Sequence, residues 1–262
     1  MSRLNCCPTE YLEFAGHLAD SVRPIIRRYF RANPHTTQKS NQTPVTIADQ
    51  QVETCLREAI EARYPSHGII GEEYGVNNPD AEFVWVLDPI DGTHAFICGL
   101  PLFGTLISLT HKKHALLGLM DQAISSERWL GASGHGATWN TQSVEVRSCP
   151  ALADVTTCMP SPDYFRGDDI EPFEALRTAV DYVRFGTSCY GYGLLANGHI
   201  DLVLDAGLNP YDYMAQVSIV ESAGGIMTDW EGRELSLELS ARRVIAAGDR
   251  GVHAQALEVL SR

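Results

Sequence analysis

The stretch Trp85-Val86-Leu87-Asp88-Pro89-Ile90-Asp91-Gly92-Thr93 passes from apolar residues into acids, a proline and a glycine. Its apolar half predicts a strand that delivers Asp88 to its end, and Pro89 and Gly92 predict a tight turn that holds Asp91 and Thr93. Two carboxylates so placed, with the Ile90 carbonyl between them, can converge on one point, and hard oxygen ligands of that kind suit Mg²⁺. Asp, Pro and Gly are also ordinary turn residues, so the stretch taken alone is equally a turn with no further duty. A second short apolar run, residues 67–71, ends in Glu72-Glu73. More carboxylates at a neighbouring strand end weight the reading toward a cation site.

Outward from that strand the chain falls into blocks. Leu12, Ala15, Leu18, Val22 and Ile26 recur at helical spacing within 9–31, where Pro24 is expected to kink or split the helix. Val52, Leu56 and Ile60 mark a second helix, opened by Thr46 with Asp49 three residues on, as in a capping box. Residues 103–110, 115–121 and 127–132 read as a strand meander. Beyond 154, strands at 154–159, 184–185, 201–205, 226–229 and 244–247 are interleaved with helices at 170–182, 188–197, 210–222 and 252–260. Blocks of this kind predict an α+β fold rather than a simple doubly wound sheet. A break near 150 separates 1–150, which carries the acidic motifs, from 151–262, which is expected to complete the site within one compact unit.

At 262 residues the chain buries roughly three-quarters of its unfolded surface, so it needs no disulfide or metal to fold. Its net charge of −13 disfavours nucleic acid and anionic membrane as partners. A phosphate-bearing partner then requires bridging cations. Seven cysteines without a CxxC pair, no leader-like N-terminus and no long apolar run are expected of a soluble cytoplasmic protein with reduced thiols. His111, His114, His135, His199 and His253 show no metal-ligand spacing.

The segment Asn209-Pro210-Tyr211-Asp212 opens another helix, with Asn as N-cap, Pro at the first position and Asp212 at the third. Free backbone N–H groups and the helix dipole favour a carboxylate there, so a first-turn acid with no other duty is the simpler account. The same ambiguity attaches to Asp49.

Glu72-Glu73, the 88–93 run, and Asp212 with Ala223-Gly224-Gly225, in that order and at that spacing, resemble the inositol monophosphatase family over most of the chain. The resemblance implies a layered αβαβα sandwich and a Mg²⁺-dependent, Li⁺-sensitive phosphomonoesterase. It implies that Glu72, Asp88, Asp91, Asp212 and the Ile90 carbonyl hold two or three Mg²⁺ ions. Asp49 and Thr93 would orient and deprotonate the attacking water, with Glu72 and Glu73 beside it. The backbone N–H groups of Gly92 and Thr93 would receive the phosphate, and Lys39 would lie near the outermost metal. This answers the charge puzzle, because bound metals invert the local potential of an acidic site. The resemblance also implies a homodimer.

Within the family, Thr43-Pro44-Val45-Thr46-Ile47-Ala48-Asp49, Glu127-Arg128-Trp129 and Asn209-Pro210-Tyr211-Asp212-Tyr213 lean toward the histidinol-phosphate phosphatase branch. Three positions depart from that branch. Thr187 and Ser188 precede Cys189-Tyr190 where it carries an acid, Asp205 stands where it has Glu, and His94 follows Thr93 where it has Lys or Arg. His94, Thr187, Ser188 and Asp205 are therefore the expected substrate contacts, with Asp201 as a supporting acid. The leading expectation is hydrolysis of histidinol phosphate in histidine biosynthesis. Thr187 and Ser188 equally suit the hydroxyls of inositol 1-phosphate or another polyol or sugar phosphate. A catalytically silent phosphate-binding protein is disfavoured because the ligand set is complete, and a bisphosphate substrate because no second basic cluster is evident.

Overall fold

The computed structural model describes residues 4–32, 36–38, 44–239 and 241–261; Lys39 lies outside them. The chain begins with α1 (Thr9–Tyr29), the short pair β1 (Thr36–Gln38) and β2 (Pro44–Thr46), and α2 (Ile47–Arg63). Next come β3 (Gly68–Gly71), β4 (Gly75–Asn77), β5 (Phe83–Asp91) and the short helix α3 (Thr93–Ile97). The run continues through β6 (Gly104–His111), β7 (His114–Gln122), β8 (Glu127–Ala132), β9 (Gly136–Trp139) and β10 (Gln142–Val144). The second half holds β11 (Thr156–Met159), α4 (Ile170–Ala179), β12 (Tyr182–Phe185), α5 (Tyr190–Ala196), β13 (Leu202–Ala206) and α6 (Pro210–Ser222). It closes with β14 (Ile226–Asp229), β15 (Arg243–Ala247) and α7 (Arg250–Leu260).

Two sheets dominate. The first has the order β10-β9-β8-β7-β6-β5-β3-β4, an antiparallel meander from β5 to β10 with β3 parallel to β5. The second has the order β12-β11-β13-β15-β14. Side-chain alternation along the strands builds the layers. On β5, Trp85 and Leu87 face α1 and α2, whereas Val84 and Val86 face α6. On β13, Val203 faces the α5–α6 layer while Leu202 and Leu204 face α4 and α7. The result is α1/α2, sheet, α5/α6, sheet, α4/α7: the αβαβα sandwich.

Helix α6 is buried nearly all round because it lies between two sheets. It presses backbone to backbone on the first sheet through two glycines. A Cβ at Gly118 would come within 2.0 Å of the Ala215 carbonyl oxygen, and one at Gly131 within 2.5 Å of Ile219 Cα.

Pro24 does not split α1, which runs unbroken from Thr9 to Tyr29. Tertiary contacts outweigh the lost backbone hydrogen bond: Leu18, Ala19, Val22 and Ile26 are buried against the sheet. Arg23 also grips Asp121 of β7 through two hydrogen bonds of 3.0 and 2.5 Å. Arg128 donates to the same buried carboxylate at 2.7 Å. Asp121→Asn leaves two arginines facing a neutral amide, and we expect unfolding in urea to lose about 3 kcal/mol, the lower end for breaking a buried ion pair. A loss under about 0.5 kcal/mol, the range of ordinary surface changes, would show that α1 is held by apolar burial alone.

Helix α4 stops at Ala179, short of the expected 182, and its follower β12 starts at Tyr182. The short elements α3, β4, β9 and β10 have too few residues to show a period.

Candidate active site

The run 88–93 does not fold as the tight turn expected of it. β5 continues through Pro89 to Asp91, with a break in its pairing to β6. Asp88 pairs with Leu106 and Asp91 with Gly104, so three steps on β5 match two on β6. In a regular strand residues three apart point to opposite faces; the extra residue of this bulge restores the phase and turns both acids to one side. Pro89 suits the bulge because it has no N–H to leave unpaired, and its carbonyl accepts the Thr105 hydroxyl at 2.8 Å.

Gly92 follows as the cap of α3, with φ of 85°. A Cβ there would lie 2.9 Å from Ser188 Oγ and 3.0 Å from the Leu102 carbonyl oxygen, so both conformation and space require glycine. The Thr93 hydroxyl donates to the Ile90 carbonyl at 3.1 Å.

The third acid arrives from the opposite half. Asp212 sits in the first turn of α6, where its Oδ2 accepts the Asn209 N–H at 2.6 Å. Asp88, Asp91 and Asp212 each offer a carboxylate oxygen, and these all lie within 4.8 Å of one another. Asp88 is 1% exposed and its Oδ1 has no hydrogen-bond partner. Asp91 Oδ2 accepts the Cys189 backbone N–H at 2.8 Å, a partner that sequence reading did not supply.

Like charges so close resist ionisation. Burial first, then Glu72, Asp91, Asp212 and Asp49, push the Asp88 carboxyl well above the usual range. Asp212 is raised by burial and by Asp91, Glu72 and Asp205, against the Asn209 N–H. Burial and Glu72 raise Asp91 to about 6, against the pull of Cys189. Glu72, whose N–H donates to the Leu87 carbonyl, stands next to Asp88 across β3 and β5, and Asp49 of α2 is buried and near enough to act on Asp88. A buried oxygen without a partner and three converging carboxylates are the donor set that a hard divalent cation satisfies.

The remaining expected residues distribute around this centre. Glu73 follows Glu72 in the turn after β3, and its backbone N–H is held by Glu53. Ser188, with φ of 45°, packs against Gly92. Thr187 is buried beside Gly191. Asp205, 8% exposed at the end of β13, accepts the Ala206 N–H at 2.9 Å, and burial followed by Asp91 raises it to about 8. His94 is exposed on α3, and its Nδ1 lies 3.4 Å from the Tyr164 hydroxyl. Tyr164, half exposed, reaches toward the site from the second half, and Asp91, Asp205 and Asp212 add to burial in raising its phenol.

Asp201 does not support the substrate end. It is paired with Arg147 through two bonds of 2.6 Å and accepts the Thr156 N–H at 2.8 Å, at the opposite end of β13 from Asp205.

Residues 8–262 match the model of the inositol monophosphatase family. Over 251 residues the chain is 43% identical to the bifunctional phosphatase IMPL2, chloroplastic, of Arabidopsis thaliana, covering 93% of this chain and 72% of that protein. It is 32% identical to a histidinol-phosphatase of Chlorobaculum parvum, covering 86% of this chain and 88% of that one. Among solved structures, an inositol monophosphatase from Zymomonas mobilis is similar with a TM-score of 0.89 at 41% identity, over 97% of this chain and 98% of that one.

Proposed function

Because the chain belongs to the inositol monophosphatase family it is a phosphoric monoester hydrolase, and we infer that it is Mg²⁺-dependent and acts on histidinol phosphate. The observation that carries the metal reading is the convergence of Asp88, Asp91 and Asp212 oxygens within 4.8 Å around an unpartnered Asp88 Oδ1. Glu72 and the Ile90 carbonyl complete the set of residues that would hold the ions. Bound Mg²⁺ supplies neutralisation of the phosphate and acidification of a bound water.

The protein's own groups do the rest. The Thr93 hydroxyl commits its proton to the Ile90 carbonyl, so its oxygen is left to accept a hydrogen bond from the attacking water. Asp49, buried on α2, is the acceptor for the water's proton. Gly92 and Thr93 offer backbone N–H groups to the phosphate; with α3 only five residues long, these dipoles act locally and not through a helix macrodipole.

The leaving alcohol would lie among Asp205, Ser188, His94 and Tyr164. A buried carboxylate at Asp205, and an imidazole and a phenol in contact at His94 and Tyr164, suit an alcohol that carries an amine and an imidazole. That supports histidinol phosphate, as does the likeness to a histidinol-phosphatase. Ser188 against Gly92 supports a second reading, a polyol ester such as inositol 1-phosphate.

Phosphate release with Mg²⁺ from histidinol phosphate, inositol 1-phosphate and sugar phosphates separates the two. We expect histidinol phosphate to lead in kcat/KM by about 100-fold, the scale set by a charged hydrogen bond of roughly 1.5–3 kcal/mol at Asp205. A polyol ester in first place would transfer the assignment to the second reading.

A further inference from the structure

Helix α2 carries charge on a face that should be apolar. Asp49, Glu53 and Arg57 stand four residues apart, so they stack along one side, and Asp49 and Glu53 are 2% and 0% exposed. Asp49 lies in the site described above. The next two residues of the stack grip the turn that follows β3.

Glu53 Oε2 accepts the Glu73 N–H at 2.7 Å, and Oε1 accepts the Tyr74 N–H at 3.1 Å. Arg57 Nε neutralises the same carboxylate at 2.7 Å and donates through Nη2 to the Gly75 carbonyl. The carboxylate occupies the space beside Gly71 so closely that a Cβ there would sit 2.0 Å from Oε1. Only glycine precedes Glu72 for that reason.

Glu72 is thus fixed on both sides. Its own N–H donates to the Leu87 carbonyl at 3.2 Å, in register with the parallel pair Gly71 and Leu87, which sets it beside Asp88. The two residues after it hang from Glu53. We propose that Glu53 is a positioning residue for the metal centre, whose grip on the 73–74 backbone presents the Glu72 carboxylate to Asp88. The inference rests on the metal reading of the Asp88, Asp91 and Asp212 cluster. Groups that orient metal ligands without touching the ion set affinity by 10- to 100-fold when removed.

Glu53→Gln tests this, because its amide must point an N–H at a backbone N–H or at Arg57. Titration with Mg²⁺ alone, read by calorimetry and by the thermal midpoint, should show half-saturation raised about 10- to 100-fold. The KM for the phosphate ester at saturating Mg²⁺ should stay near wild type. Asp121→Asn, which weakens the fold far from the turn, serves as the control and should keep wild-type Mg²⁺ half-saturation. Should Glu53→Gln fail to fold, the pair E53Q/R57M removes the stranded buried cation and takes its place. Wild-type Mg²⁺ half-saturation in the Glu53 variant, or an equal loss in the Asp121 control, would overturn the positioning role. If the wild-type protein itself binds no Mg²⁺, the metal reading falls and this inference with it.

Discussion

Asp91→Asn should lower kcat/KM by on the order of 10³-fold, the upper range for losing one preorganised electrostatic contact at a reacting centre. The same change should raise the stability of the metal-free protein. Asp91 shares its site with Asp88 and Asp212, and its carboxyl is displaced upward to about 6, burial being the main cause. An Asp that holds its proton more tightly in the folded than in the unfolded chain costs stability increasingly as the pH rises from its unfolded to its folded value, and in full above it. Removing that charge therefore contributes on the order of 1–3 kcal/mol at pH 8. Asn keeps an oxygen for the Cys189 N–H, so the hydrogen bond that seats α5 survives. Activity and apo stability should move in opposite directions, and Mg²⁺ should raise the variant's thermal midpoint less than that of wild type. Steady-state phosphate release together with thermal scans in EDTA and in Mg²⁺ checks all three. Near-normal turnover, or a lower midpoint in EDTA, would remove Asp91 from the cation site.

How much of this was readable beforehand follows from how local each signal is. The acids at 88, 91 and 212 announce themselves through neighbours in sequence: an apolar run ending in Asp, a proline and glycine, an Asn-Pro helix start. The bulge that aligns Asp88 with Asp91 has no local signature, since it exists only in the count of residues on β6 opposite. Glu53 and Arg57 carry no signal in the apolar periodicity of α2; only the β3 turn arriving over them reveals the buried stack. The D-x-x-x-E-x-x-x-R spacing was the available clue. Tyr164 comes from a 3₁₀ turn, Pro162–Tyr164, in the other half of the chain, and nothing in the 160s marks it. Asp201 was misplaced because composition cannot tell the two ends of a strand apart. Four residues of extended chain set it roughly 13 Å from Asp205, beside Arg147.

Removing the metal should make the fold sensitive to alkali. In the metal-free protein Asp205 is raised to about 8 and Asp91 to about 6, both chiefly by burial, and Asp88 and Asp212 are raised as well. The same groups titrate near 3.9 in the unfolded chain. Between those limits the native state holds more protons than the unfolded one, so stability falls as pH rises. His67 and His253, both lowered by burial, act with the opposite sign, but only up to the ordinary histidine range near 6.5. Above it the carboxylates act alone until the thiols that burial raises in the fold begin to titrate in the unfolded chain, so Asp205 sets the window at about pH 6.5 to 8. The thermal midpoint in EDTA should decline across that window. Mg²⁺ should restore it, and by more at the alkaline end, because protons and cations compete for the same oxygens. Phosphatase activity should vanish in EDTA and return with Mg²⁺. A midpoint that is flat with pH in EDTA would mean that the carboxylates are neutralised by groups within the chain, and the acidic centre would then have no need of a cation. An alkaline decline that Mg²⁺ cancels identifies the repulsion among these acids as the free energy that binding of the ion relieves.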